Sequence, residues 1–310
     1  MSLSLVTGAG GFIGRHLVRH LCKQGQSVIG VDLVSASRAG ITTSLAGWSA
    51  GGLTRSSLEE LQAKAGTADV VYHLAGGSSV GTSLQHPAED FAATVGGTAN
   101  LLEWIRTSAA QARLVVVSSA AVYGNVHSGP INEMAQTEPY SPYGAHKYAM
   151  EAMVRGWSAS FNISSIAVRL FSVYGPGLAK QLLWDLSARL HENAGVVMLG
   201  GTGHEVRDWT YVGDVVRVLE TASSLAVQGM PIMNAGTTVP ISVREVAECL
   251  ALAYGFDPSG IRYSGRSRPG DPFSLVAAPG LLAKLGFDWQ VSLQQGLAHY
   301  VDWYRSAVSP

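Results

Sequence analysis

The sequence predicts an α/β protein built as a Rossmann-type doubly wound parallel sheet, with a smaller C-terminal α/β domain. Three observations predict it. A glycine cluster joins the first apolar strand to the first helical pattern, apolar runs alternate with helical periodicity as far as about residue 172, and an aspartate closes the second strand.

Residues 3–14, LSLVTGAGGFIG, pass from a β-branched stretch into glycines and then into HLVRHL, whose apolar residues recur at helical spacing. Gly8, Gly11 and Gly14 are spaced G-x-x-G-x-x-G. One glycine permits the turn, one lets backbone N–H groups reach a pyrophosphate, and one allows close helix packing, with phosphate at the helix N-terminus. The second strand, SVIGVD, ends at Asp32, 18 residues after Gly14. A carboxylate there accepts hydrogen bonds from an adenosine ribose and repels a 2′-phosphate, favouring NAD over NADP. The bland alternative is an aspartate that merely ends a strand, and Arg38 in the next loop leaves room for NADP. VVYHLAG, LVVVSSAAVYG and ISSIAVRLF read as further strands, with Leu74–Gly77, Ser118 and Ser119 at strand ends, where ligands of such sheets bind.

The segment SPYGAHK places Tyr143 and Lys147 four positions apart where a helix begins, so both side chains share one face. An ammonium beside a phenol favours the phenolate and makes a usable base. The same spacing also describes an ordinary half-buried ring with a solvated neighbour, and the cofactor motifs favour the catalytic alternative. Beyond residue 172 the alternation breaks into loop, amphipathic helix and Pro/Gly-rich turns. The expected organisation is a dinucleotide domain over 1–172, with a return over about 206–240, and a substrate domain over 173–205 and 241–310.

The chain of 310 residues is 47% hydrophobic and 14% charged, enough to bury one large core and a smaller one. A formal net charge of −1 gives no electrostatic footprint for nucleic acid. No apolar run approaches the roughly 20 residues of a membrane span, and no basic region precedes a cleavable apolar segment, so a cytoplasmic protein without membrane partners is expected. Cys22 and Cys249 stand far apart outside any C-x-x-C or His/Cys cluster, which suggests neither disulfide nor metal.

TGAGGFIG, Asp32, HLAG, SSAAVYG, SPYGAHK, RLFSVYGPG, VRDWTYVGDV and RPGDPF, in this order from residue 3 to about 300, resemble the extended short-chain dehydrogenases/reductases. Within them they are similar to the NAD-dependent nucleotide-sugar epimerase/dehydratase branch that includes UDP-glucose 4-epimerase. The resemblance implies a catalytic set of Ser119, Tyr143 and Lys147. It implies NAD held by Gly8, Gly11, Phe12, Ile13, Gly14, Asp32, Leu53, Leu74, Ala75, Gly76, Thr94, Ser118, Tyr143, Lys147 and Phe171. For the nucleotide sugar, a UDP-hexose before others, it implies Ser78 and Val80 near the hexose, Ser119 and Tyr143 at the reacting carbon, and Ser172, Gln181, Leu182, Arg207, Arg268 and Asp271. The two arginines answer the need to match a diphosphate's charge in a partly desolvated cleft; the alternative for each is a surface ion pair. A homodimer formed through residues 90–106 and the helix starting at Tyr143, and a place in nucleotide-sugar metabolism supplying polysaccharide biosynthesis, are further implications.

Several positions depart from the family pattern. Ser172 and Thr94 stand where asparagines are usual, and Gly52 before Leu53 removes a side-chain acceptor for adenine, leaving the Leu53 backbone. His146 stands where many relatives carry serine and is expected to cap or pack on the helix face rather than to move protons. Ala120 and Ala121 occupy the positions where 4,6-dehydratases of the branch carry Asp and Glu. Methyl groups cannot transfer protons, which disfavours dehydration. The expected reaction is C4 epimerisation through hydride transfer and a 4-keto intermediate. Reduction of a 4-keto-6-deoxy sugar nucleotide by NAD(P)H is the alternative, and a non-catalytic dinucleotide sensor has no need of Ser119, Tyr143 and Lys147 together.

Overall fold

The computed structural model describes residues 2–192, 195–266 and 272–308, so Arg268 and Asp271 lie outside the described residues. The chain divides into two compact units. The first comprises Met1–Gly124, Ala135–Leu170 and Val216–Asn234; the second comprises Asn125–Met134, Phe171–Val215 and Ala235–Pro310.

In the first unit, β1 (Leu3–Thr7), α1 (Phe12–Lys23) and β2 (Ser27–Asp32) are followed by β3 (Gly47–Ala50), α2 (Arg55–Ala65) and β4 (Val70–His73). Then come α3 (Val80–Gln85), α4 (Pro87–Phe91), α5 (Gly97–Ser108), β5 (Arg113–Ser119), α6 (Pro142–Phe161) and β6 (Ser165–Leu170). The strand order is Ile232–Ala235, β6, β5, β4, β1, β2, β3. Pairing is parallel from β6 to β3. The order reverses between β1 and β4, and the loops beginning at Gly8 and Leu74 leave the carboxyl ends of these two strands. That is where a doubly wound sheet opens its binding crevice.

Helices cover both faces of the sheet, so β1, β4 and β6 are buried along their whole length and are largely apolar, with Thr7, His73 and Arg169 among the buried polar exceptions. The core gathers Leu5, Ile29, Leu61, Val71, Leu101, Trp104, Ile105, Val116 and Met150. Full burial of each such side chain is worth about 1.5–3 kcal/mol. β3, GWSA, was not expected from periodicity. It forms because Gly30 of β2 has no side chain: a β-carbon there would meet the Trp48 ring at 2.5 Å, while the indole Nε1 donates to Val34 O at 3.0 Å. Between α4 and α5, Ala92–Gly96 is a π-helical turn, a form that concentrates at functional sites.

In the second unit, Ser172–Tyr174 pairs in parallel with Trp209–Tyr211, and Tyr174 meets both Trp209 and Tyr211 edge-on. Buried Asp208 ties the neighbouring loop down by accepting from Thr237 N at 2.7 Å, Thr238 N at 2.9 Å and Ala277 N at 3.2 Å. The helix Leu293–Val308 packs Tyr300, whose hydroxyl donates to Leu178 O at 2.8 Å. Among the described residues, no helix is long and apolar enough to cross a membrane. Cys22 and Cys249 are free thiols.

Candidate active site

The turn from β1 to α1 is shaped by the absence of side chains. Gly8 has φ +67°, and a β-carbon on it would sit 2.9 Å from Ala75 N; one on Gly14 would overlap the Gly8 carbonyl. Gly11 is the N-cap of α1 and makes no side-chain cap, so Phe12, Ile13 and Gly14 form a first turn open to an anion. Gly14→Ala is therefore expected to destabilise by about 1–3 kcal/mol through backbone displacement and to weaken dinucleotide binding, read by denaturant unfolding and titration with NAD.

Asp32 accepts from Gly10 N at 2.8 Å, and a β-carbon on Gly10 would lie 2.9 Å from the Asp32 carboxyl carbon. Motif spacing does not single out Gly10, which lies outside the three-residue repeat; its signal was the unbroken glycine pair. Leu53 precedes α2, and its carbonyl accepts from Asn100 Nδ2 at 3.0 Å. Leu74, Ala75 and Gly76 follow β4. Thr94, in the π-helical turn, accepts from Gly77 N at 2.8 Å, so its hydroxyl supports the loop after β4. Ser118 lies beside Arg169 in the sheet register, and its buried hydroxyl oxygen has no hydrogen-bond partner. The glycine cradle, the Asp32 carboxylate and the orphan Ser118 hydroxyl all fit a bound dinucleotide.

Ser119 ends β5, and its Oγ accepts from Ala121 N at 3.2 Å. Ser141 caps α6 by accepting from Gly144 N at 3.2 Å, so the helix starts where the motif placed it. A β-carbon on Gly144 would lie 2.6 Å from Ala121 O, so this glycine lets α6 approach the turn after Ser119. Tyr143 is fixed by its backbone N–H donating to Ser83 Oγ at 3.0 Å, and its hydroxyl lies within the influence of the Ser119 side chain. Lys147 is buried, with Nζ donating to Val117 O at 3.0 Å and lying 6.0 Å from the Tyr143 ring centre. Ser119, Tyr143 and Lys147 thus converge within one unit.

The electrostatics correct one expectation. Burial pushes the Tyr143 hydroxyl above its usual value, the Ser119 side chain pulls it down, and the Asp90 carboxylate raises it further. Lys147, whose own pKa burial brings down to about 8 against the opposing pull of Asp90 and Glu151, is not among the groups that lower Tyr143. Ala120 and Ala121 follow Ser119 in a 3₁₀ turn, with Ala120 fully buried.

His73 closes β4 inside a hydroxyl network. Thr98 Oγ1 donates to Thr94 O, so it accepts from His73 Nε2 at 2.9 Å; Thr7 Oγ1 then donates to Nδ1 at 2.8 Å while accepting from Ala75 N at 3.2 Å. The ring is neutral, its pKa lowered to about 3 by burial first and the Lys147 charge second. Between pH 3 and the unfolded value of 6.5, the unfolded chain binds a proton that the folded chain does not. Stability is accordingly expected to fall on acidification through that window, by up to about 1.4 kcal/mol per pH unit. His73→Gln should flatten the slope, as measured by denaturant unfolding at stepped pH.

Deeper in the same unit, Arg169 makes a bidentate pair with Glu151, at 3.0 Å from Nε and 2.7 Å from Nη2. Its guanidinium carbon lies 4.7 Å from the centre of the Tyr123 ring, whose hydroxyl donates to Asn234 Oδ1 at 2.7 Å. His146 neither caps nor serves only as packing: its Nδ1 lies 2.6 Å from Asp90 Oδ2.

Ser78 lies in the loop after β4, and Val80 is the first residue of α3, which Ser79 caps by accepting from Thr82 N at 3.2 Å. The second unit carries the other expected ligands. Phe171 is buried there, and Ser172 N donates to Asp208 O at 2.9 Å. Gln181, first residue of the helix Gln181–His191, has φ +65°, a conformation that costs a branched or long side chain energy and that clusters at ligand sites; Leu182 follows it. Arg207 Nη1 donates to Val206 O at 2.9 Å and to Phe273 O at 3.4 Å. Among the described residues, no group of three His, Cys, Asp or Glu is placed to hold a metal ion.

The chain is similar to known proteins over nearly its whole length. The model of the NAD dependent epimerase/dehydratase family matches residues 4–236. A relative from Streptomyces lividans named UDP-glucose 4-epimerase is 32% identical over 301 residues, covering 92% of this chain and 90% of its own. The structure of MoeE5 in complex with UDP-glucose and NAD is 33% identical, covers 99% of both chains and superposes with a TM-score of 0.86. The UDP-glucose 4-epimerase of Thermus thermophilus in complex with NAD is 29% identical, with a TM-score of 0.87 over 99% of this chain and 100% of that one.

Proposed function

Since the chain belongs to the NAD-dependent epimerase/dehydratase family, we propose that it is a NAD-dependent UDP-sugar 4-epimerase. The observation that carries this reading is the convergence of Ser119, Tyr143 and Lys147 beside a glycine cradle that ends at Asp32.

The open first turn of α1 would hold the pyrophosphate of the dinucleotide, Asp32 its adenosine ribose and Lys147 its nicotinamide ribose. Bound NAD supplies reversible hydride acceptance. The chain's residues manage the proton. Tyr143 removes the proton from the C4 hydroxyl, and Ser119, whose side chain favours the Tyr143 anion, supports the oxygen as it becomes a carbonyl. Burial that raises Tyr143 makes its anion basic once formed, and the same residue returns the proton when the opposite face is reduced. Ala120 and Ala121 provide no group to eliminate water, consistent with a 4-keto intermediate that goes back to an alcohol. Ser78, Val80, Ser172, Gln181, Leu182, Arg207, Arg268 and Asp271 are the proposed contacts of the sugar nucleotide, with the arginines meeting its diphosphate. We also assign a homodimer, supported by exposed Phe91 and Phe161 on α4 and α6, and a cytoplasmic setting in nucleotide-sugar metabolism.

Incubating the enzyme with UDP-glucose and no added reductant tests the reading. Formation of UDP-galactose supports it; conversion of a 4-keto-6-deoxy sugar nucleotide with stoichiometric NAD(P)H consumption, and none of UDP-glucose, assigns the chain to reductases. Asp32→Asn keeps an acceptor for Gly10 N but removes the charge. It is expected to narrow the preference for NAD over NADP by about tenfold to a hundredfold in titrations of the two cofactors, the size of one charge contact at a protein surface.

A further inference from the structure

His146 occupies α6 between the two residues assigned to catalysis, and its partner is an unusual one. Asp90 is nearly sealed from solvent, with 3% of its side chain exposed, against 16% for His146. The carboxylate sits directly against the loop after β4, where a β-carbon on Gly77 would overlap it. His146 is further fixed by the Phe91 ring, edge-on at 5.4 Å. An isolated buried carboxylate is costly, so the imidazole is the group that makes it tolerable in this place.

We propose that Asp90 and His146 are a positioning pair acting on Tyr143: the buried carboxylate sets the proton affinity of the base through space, and the imidazole hydrogen-bonded to it is the counter-group that screens this charge. The inference rests on the reading of Tyr143 as the base. Both Tyr143 and Lys147 respond to Asp90, which raises each of them. The other charged groups around the pair are accounted for. On α4, His86 and Glu89 form an exposed pair at 3.5 Å. On β4, His73 is neutral in its hydroxyl network. On α6, Lys147 is the buried cation that Asp90 also acts on, its Nζ donating to Val117 O at 3.0 Å, Glu151 is taken up by Arg169, and Arg155 is exposed. On α5, Glu103 and Arg106 pair with each other at 2.6 Å. α3 and the π-helical turn carry no charged side chain. Asp90 is therefore the negative charge left to act on the Tyr143 hydroxyl, and His146 is its direct partner.

The test is the pH profile of kcat for the holoenzyme with UDP-glucose, in which the rising limb reports deprotonation of the base. Asp90→Asn should move that limb to lower pH, and His146→Gln should move it to higher pH, each by roughly one unit. In the double variant the limb should coincide with that of Asp90→Asn alone, because His146 acts through Asp90. Variants that lower kcat while leaving the limb in place would overturn the proposal, as would a His146→Gln shift that persists unchanged without Asp90. Should Asp90→Asn fail to fold, a stationary limb in His146→Gln is by itself contrary and a shifted one supporting. Activity with the same limb in Tyr143→Phe would instead dismiss Tyr143 as the base, which separates failure of that reading from failure of this one.

Discussion

Replacing Tyr143 by Phe is expected to lower kcat for UDP-sugar epimerisation by about 10²–10⁴-fold, the contribution of a positioned proton-transfer group. The substitution removes the only atom of the side chain that exchanges a proton and leaves the ring, the Ser83 contact to the backbone and the helix cap intact. Binding of NAD and of UDP should change little, which calorimetric titration of the variant checks. An unaltered rate would remove Tyr143 from the chemistry. Ser119→Ala is the matched control: it deletes the hydroxyl that lowers Tyr143 while leaving the base in place, and so should cost less than loss of the base itself.

The second large effect is on stability. Glu151→Ala is expected to cost about 3–5 kcal/mol, because it strands the Arg169 guanidinium in a site where both side chains are almost fully enclosed, at 4% and 2% exposure. The Tyr123 ring at 4.7 Å offers partial compensation to the cation and cannot replace a bidentate carboxylate. Replacing both partners, Glu151→Met with Arg169→Met, should recover most of the loss, since neither charge then remains to be desolvated. Urea unfolding of the single and the double variant measures this. A single variant as stable as the natural chain would show that water reaches the pair.

The parts of the fold and site legible in the sequence are those written in local pattern. β1, β2, β4, β5 and β6 are stretches of mostly apolar, mostly buried residues, and buried parallel strands need little else. Gly8, Gly11 and Gly14 declare themselves by spacing, Tyr143 and Lys147 by their four-residue offset. What escaped depends on distant partners. β3 has no apolar alternation; it is held by Trp48 lying where Gly30 leaves space, a relation across 18 residues. His73 reads as part of a strand end, and only the meeting of Thr7, Thr94 and Thr98 shows its neutral state. Asp90 lies in a short helix with nothing in its surroundings to single it out until His146, 56 residues later, folds against it. The sign of the Tyr143 shift escaped for a related reason. Sequence spacing reveals the neighbouring ammonium, while burial, the larger influence, is a property of the assembled unit.

In the proposed reaction, hydrogen leaves C4 and returns to C4 within one catalytic cycle, while Tyr143 handles the proton separately. UDP-glucose carrying deuterium at C4, converted in ordinary water and analysed by mass spectrometry and NMR, decides whether it does. UDP-galactose should retain the deuterium at C4, with no incorporation of solvent hydrogen there. Loss of the label to solvent, or a product that acquires hydrogen at C4 from water, would rule the proposed reaction out.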